Sequence, residues 1–245
     1  MARVAVCGGV PRFLFFSMLW ILFLTTARTA NGQKPIVKKG GWTMVKNVHW
    51  LGHDGFKITG SKTVYVDPYE ISGGEPADLI LITHDHYDHC SPEDVRKIQN
   101  KNTTVVASES AAAKLTGDVR PVKPGDALTV SGVEIRAVPA YNLRLPNHAR
   151  TKKHVGYVFK LDGVTYYHAG DTDYIPEMKS IRADVVFLPV GGTVTMGPAE
   201  AAKAAADIGP KIAVPMHWGS VIGSIEDAKR FEELCKCEVV VPEAE

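Results

Sequence analysis

Apolar and polar positions change period repeatedly along this chain, and the changes mark out its elements. Residues 13–24, Phe-Leu-Phe-Phe-Ser-Met-Leu-Trp-Ile-Leu-Phe-Leu, form one nearly unbroken apolar run; after residue 41 every run is short. Residues 42–50, then Phe56-Lys57-Ile58 and Thr63-Val64-Tyr65-Val66, read as three antiparallel strands, with Thr59-Gly60-Ser61-Lys62 turning the last hairpin. The stretch Ala77-Asp78-Leu79-Ile80-Leu81-Ile82-Thr83 is apolar at both alternating sets of positions, which predicts a strand buried on both faces. A helix follows to about Gln99, with Ser91 as cap, Pro92 at its first position and Asp94 completing a capping box. Next come a strand over 103–107, an alanine-rich helix over 109–115 stopped by Gly117, and strands over 119–122, 127–130 and 133–138. Strands 155–161 and 164–168 flank Asp162-Gly163, a two-residue hairpin signal. The last part predicts a strand over 183–190, a helix from Pro198 stopped by Gly209-Pro210, and a strand over 211–216. A helix capped by Ser224-Ile225-Glu226-Asp227 then runs to about Cys235, before a closing strand over 239–241. Antiparallel strands precede strand–helix units in both halves, so the expected fold class is α/β, an αββα sandwich of two mixed β-sheets flanked by helices.

Composition changes this picture little. With 45% hydrophobic and 22% charged residues and a formal net charge of +1, the 245-residue chain reads as one soluble α/β domain over 42–245. That balance offers nothing for nucleic acid or a bulk membrane surface to bind. The first thirty residues differ. Arg3 and Arg12 precede the apolar run and Ala27-Arg28-Thr29-Ala30 closes it, matching a signal peptide cut after Ala30 and hence a secreted product or the secretory pathway. An uncleaved N-terminal anchor, giving a membrane tether, and an organellar leader stay open, because the region contains no acidic residue. Residues 31–41 are a polar, glycine-containing flexible lead-in. Past the leader, Cys90, Cys235 and Cys237 are too few for a disulfide framework and read as packed thiols. A metal or redox role for the Cys235-Lys236-Cys237 pair is the weaker alternative.

The chemistry concentrates in Thr83-His84-Asp85-His86-Tyr87-Asp88-His89, three imidazoles and two carboxylates directly after the doubly buried strand. In extended backbone, residues two apart share a side, so His84 and His86 can converge on one cation while Asp85 and Tyr87 point away. A turn then sets Asp88 and His89 beside that pair, able to hold a second cation. Imidazole and carboxylate donors suit zinc, with manganese or iron as alternatives.

The sequence His84-Asp85-His86-Tyr87-Asp88-His89 at a strand end resembles the signature of the metallo-β-lactamase fold superfamily, in its small metal-dependent hydrolase branch. Trp50-Leu51-Gly52-His53, Tyr167-His168-Ala169-Gly170-Asp171-Thr172-Asp173 and Pro215-Met216-His217-Trp218-Gly219 agree with it in order. The resemblance implies two divalent metal ions, with His84, His86 and His148 on one, Asp88, His89 and His217 on the other, and Asp171 bridging. His154 competes with His148 for the third position. It also implies that His53 lies near the active site, against the alternative of a surface turn histidine, and that Asp67 supports a ligand, because metal-bound imidazoles need a partner for their second nitrogen. His168 is expected behind the ligands, and His49 in a structural role. The implied function is hydrolysis of an ester, lactone or phosphoester by a hydroxide shared between the metals, with Asp88 orienting it and His53 assisting the leaving group. The loop over 140–153 carries Arg144, Arg150, Lys152 and Lys153, which read either as partners for a small anionic substrate or as an ordinary solvated loop. A metal- or ligand-binding module without turnover is the alternative, since a fold does not fix an activity.

Overall fold

The computed structural model of the protein describes residues 42–243, so the expected leader and lead-in lie outside the described residues. The first half builds β1 (Val48–Gly52), β2 (Gly55–Ile58), β3 (Val64–Val66), β4 (Leu79–Ile82), β5 (Thr104–Ser108) and β6 (Asp118–Val122), with helices α1 (Trp42–Val45), α2 (Pro92–Ile98) and α3 (Glu109–Ala112). These six strands form one sheet in chain order, antiparallel from β1 to β3 and parallel from β3 to β6. The second half supplies β7 (Ala127–Val130), β8 (Val133–Pro139), β9 (Val155–Leu161), β10 (Val164–His168), β11 (Val185–Pro189), β12 (Ile212–Met216) and β13 (Glu238–Val239). Its helices are α4 (Pro198–Ile208) and α5 (Ile225–Leu234). This seven-stranded sheet is antiparallel from β7 to β10 and parallel from β10 to β13. The expected αββα sandwich of two mixed sheets is therefore the observed one.

Strand β4 shows why the layers form. Leu79 and Leu81 enter the large core between the sheets, whereas Ile80 and Ile82 enter a second core with Val95 and Ile98 of α2 and Ala111 of α3. Both faces of the strand are dry, as its unalternating sequence requires. Across the sandwich, the Tyr157 hydroxyl of β9 donates to the Ile82 carbonyl at 2.8 Å, pinning the end of β4 just before the histidine-rich loop over 84–89. Gly156 is dictated by close approach: a Cβ there would lie 2.7 Å from the His168 carbonyl and 2.8 Å from that of Ala169. Only glycine lets the segment leading to Asp171 pass so near β9.

Four expectations change. Residues 42–45 form a helical turn, because β2 ends at Ile58, opposite Val48, and earlier residues have no strand to pair with. The alanine-rich helix stops at Ala112, and the closing strand covers only Glu238–Val239. Asp94 completes no capping box. Ser91 caps α2 by accepting from the Asp94 N–H at 3.2 Å, while the Asp94 carboxylate accepts from the Glu70 N–H at 3.0 Å and from Lys97 at 2.8 Å. Among the described residues no helix is long and apolar enough to cross a membrane.

Candidate metal centre

The candidate ligands come from segments distant in sequence. His84, His86, Asp88 and His89 follow β4, Asp67 follows β3, Asp171 lies beyond β10 and His217 directly after β12. His53 and Asp54 form the β1–β2 turn, and His148 sits in the β8–β9 loop. The parallel strands thus deliver their chemistry at their carboxyl ends, along one edge of the sandwich.

Two groups of donors meet there, one on each side of Asp171. Nε2 of His84 is 3.1 Å from Nδ1 of His86, and Nε2 of His84 and of His148 lie 3.8 and 3.7 Å from Asp171 Oδ2. On the other side, Nε2 of His89 and of His217 each lie 3.3 Å from Asp171 Oδ1. Within each of the sets His84/His86/His148/Asp171, His53/Asp88/His89/His217 and Asp54/His89/Asp171/His217, the potential ligand atoms all lie within 4.8 Å of one another. Asp171 Oδ1, His89 Nε2 and His217 Nε2 are buried and find no hydrogen-bond partner. Buried polar atoms are ordinarily paired, so three of them converging on one point fit a bound cation.

The protons on two imidazoles can be assigned from the network. The Thr83 hydroxyl has one hydrogen and donates it to Asp67 Oδ2 at 2.6 Å, so His84 Nδ1, 3.0 Å from that hydroxyl, must be the donor between them. Nδ1 of His89 also donates to Asp67 Oδ2, at 2.9 Å. In its neutral form each ring therefore turns an Nε2 lone pair toward the centre, where a cation would displace any second proton. A single carboxylate, itself fixed by the Thr83 N–H at 2.8 Å, orients a ligand in each group.

His53 is buried, with Nε2 3.1 Å from Asp88 Oδ2. Its carbonyl accepts from the His217 N–H at 3.1 Å and the Trp50 indole at 3.0 Å, and Trp50 stacks on Trp218. The β1–β2 turn and the end of β12 are thereby stitched together. His53, Asp67 and His217 all have left-handed backbone, with φ of 48°, 43° and 60°. Such conformations cost on the order of 1–3 kcal/mol each and gather at functional sites.

Charge is balanced internally. Burial alone would neutralise His89 and His217, yet Asp171 and Asp54 face both, with Asp67 added at His89. The His89 imidazole is held well above its ordinary pKa and that of His217 at about 9. Burial would raise Asp171, but His217 and His89 keep it well below the carboxylate range. On the other side, burial pushes His84 well below 6.5 and also lowers His148. A cation bound among these groups would take the place of the imidazole protons, so metal binding and proton release are coupled here.

The other candidates fall elsewhere. His154 is buried, its pKa pushed down to about 4 by burial and by His148, but it joins none of the three donor sets; its Nε2 is 3.6 Å from Asp85. His168 donates Nε2–H to the Asp54 carbonyl at 2.9 Å and accepts from the Gly170 N–H, tying the His53 turn to the Asp171 loop. Cys90 is buried beneath α3, its thiol 3.9 Å from the Ala111 carbonyl and pushed up to about 11 by burial. Cys235 and Cys237 are free and half-buried. Sequence reasoning missed Asp54, a fully buried carboxylate 3.5 Å from His89 Nδ1, although it adjoins His53 in the same glycine-flanked turn.

The expectation that the 140–153 loop aims its cations at the site is corrected. Arg150 pairs with Glu177 at 3.0 Å and Lys153 with Glu109 at 3.0 Å, and neither Arg144 nor Lys152 lines the cavity over Asp171. That loop instead gives the cavity Leu145, Pro146, Asn147 and His148.

Comparison with known proteins identifies the family and agrees with the fold. The β-lactamase superfamily domain matches residues 47–217. The UPF0173 metal-dependent hydrolase of Thermococcus kodakarensis is 37% identical over 218 residues, covering 81% of this chain and 96% of the relative. That of Methanoculleus marisnigri is 36% identical over 198 residues, 75% of this chain and 87% of the relative. Among solved structures, a metal-dependent hydrolase from Parabacteroides distasonis superposes with a TM-score of 0.72 at 33% identity, covering 81% of this chain and 93% of its own. The chain belongs to the β-lactamase superfamily and, within it, to the UPF0173 metal-dependent hydrolases.

Proposed function

We propose that this enzyme is a dinuclear hydrolase of ester or lactone bonds. His84, His86 and His148 would hold one divalent ion and Asp88, His89 and His217 the other, with zinc favoured over manganese or iron by the imidazole-rich set. The observation that carries the proposal is the position of Asp171, whose two oxygens each face a different donor group. Ions bound there supply an acidified water and polarise the scissile oxygen.

The chain's own residues do the rest. Asp88 lines the cavity, and although burial opposes it, the hydrogen bond from His53 and the nearby His89 hold its carboxyl below the ordinary range. It is therefore an ionised acceptor that orients the attacking water and takes its proton. As the C–O bond breaks, that proton passes to the departing oxygen. His53 lies behind Asp88 and acts by holding it, a positioning role. No Ser or Cys nucleophile is needed. We further propose that the leader over residues 1–30 directs the chain to the secretory pathway, or tethers it if uncleaved.

The test is metal content together with turnover of esters, lactones and phosphodiesters by the zinc-loaded protein. Two ions and ester or lactone hydrolysis are expected. Two ions with no turnover of any class would instead favour a binding module.

A further inference from the structure

The cavity over Asp171 has a volume of about 390 Å³, within the range of small-molecule sites. Its floor is the metal centre. Its walls are Tyr87, Leu145, Pro146, Val194, Val221 and Ile222. Six large hydrophobic side chains stand exposed among the described residues, and three of them share this rim: Tyr87 at 64%, Leu145 at 38% and Val221 at 39% exposure. They arrive from three separate segments, the metal loop, the β8–β9 loop and the loop after His217, so local sequence does not explain their meeting. Exposed apolar surface gathered around a cleft marks a site that something apolar covers. No lysine or arginine lines the cavity. Away from the proposed ions, then, no guanidinium or ammonium is present to receive a charged substituent, whereas an apolar one meets the rim.

We infer that the substrate is a neutral ester or lactone whose apolar acyl or alkyl substituent lies against Tyr87, Leu145, Val221 and Ile222 while its carbonyl reaches the metal centre. This rests on the hydrolase reading above and narrows its substrate class. The substituent is recognised by surface burial and not by directional bonds, so each added methylene contributes until the rim is filled.

The zinc-loaded full chain is assayed with p-nitrophenyl esters from acetate to octanoate, with bis(p-nitrophenyl) phosphate as the charged comparator. In parallel, calorimetry measures binding of acetate and octanoate, the product acids. Each methylene buried on the rim is expected to raise kcat/KM by about two- to fourfold. Leu145→Ser and Val221→Ser flatten that slope while keeping wild-type zinc content and melting temperature. Leu234→Ser, at an exposed apolar position on α5, keeps the slope. Ester hydrolysis with no dependence on chain length, or a preference for the phosphodiester, overturns the inference. Octanoate binding far more tightly than acetate with no turnover would support the rim and sink the hydrolase reading; chain-independent binding without turnover would sink both.

Discussion

Asp67→Asn replaces one oxygen of a fully buried carboxylate with an NH₂ and so reverses the polarity on which both donor groups depend. In the wild type Asp67 receives three hydrogen bonds: from the Thr83 N–H at 2.8 Å, the Thr83 hydroxyl at 2.6 Å and His89 Nδ1 at 2.9 Å. If the amide oxygen keeps the Thr83 N–H, its NH₂ faces two donors. Relief requires His89 to carry its proton on Nε2. The Thr83 hydroxyl must also turn toward His84 Nδ1, which moves that ring's proton to Nε2 as well. Both rearrangements put hydrogen where a metal lone pair should be. Loss of such an outer partner weakens metal binding about 10- to 100-fold, or roughly 1.4–2.7 kcal/mol per site. The assay is zinc titration against a chromophoric chelator at neutral pH, resolving both affinities. Asp67→Asn should weaken both. Thr83→Val, which breaks only the His84 branch, should weaken one. If Asp67→Asn binds both ions within twofold of the wild type, the tautomer argument is refuted.

Three further outcomes are expected. His86→Ala loses metal and hydrolysis while Cys235→Ala keeps both, read by metal analysis and ester turnover; the reverse pattern would place the site elsewhere. Tyr157→Phe leaves the Ile82 carbonyl without its partner across the sandwich and lowers unfolding free energy by about 1–3 kcal/mol in denaturant titration. At Asp94, burial opposes ionisation, but Lys97, Ser91 and the Glu70 N–H outweigh it and hold the carboxyl below its ordinary 3.8. A depressed folded pKa stabilises above the unfolded value and is lost as pH falls through the folded one. The deficit of Asp94→Asn, about 1–2 kcal/mol at neutral pH, should therefore close as acid is added below about pH 4.

What could be read from the chain and what could not divide on physical grounds. The run Leu79-Ile80-Leu81-Ile82 declares a doubly buried strand because no polar side chain interrupts it, and the imidazoles after it declare a metal loop by their density. His148 and His217 were legible through family resemblance, since nothing local distinguishes them from other histidines. Asp54 was not, because an acid in a glycine-flanked turn is ordinary until folding buries it beside His89. Where β1 starts depends on the length of its partner, and whether Asp94 caps its own helix depends on Glu70, 24 residues away. The four loop cations misled for the same reason: charge is visible in sequence, but Glu177 and Glu109 claim two of them only in three dimensions.

The central claim is that Asp171 stands between two ions. Anomalous diffraction at the zinc edge from metal-loaded crystals tests it directly. Two peaks are predicted, one among His84, His86 and His148 and the other beside His89 and His217, with one Asp171 oxygen on each. A single peak, or peaks that Asp171 does not touch, would contradict the account.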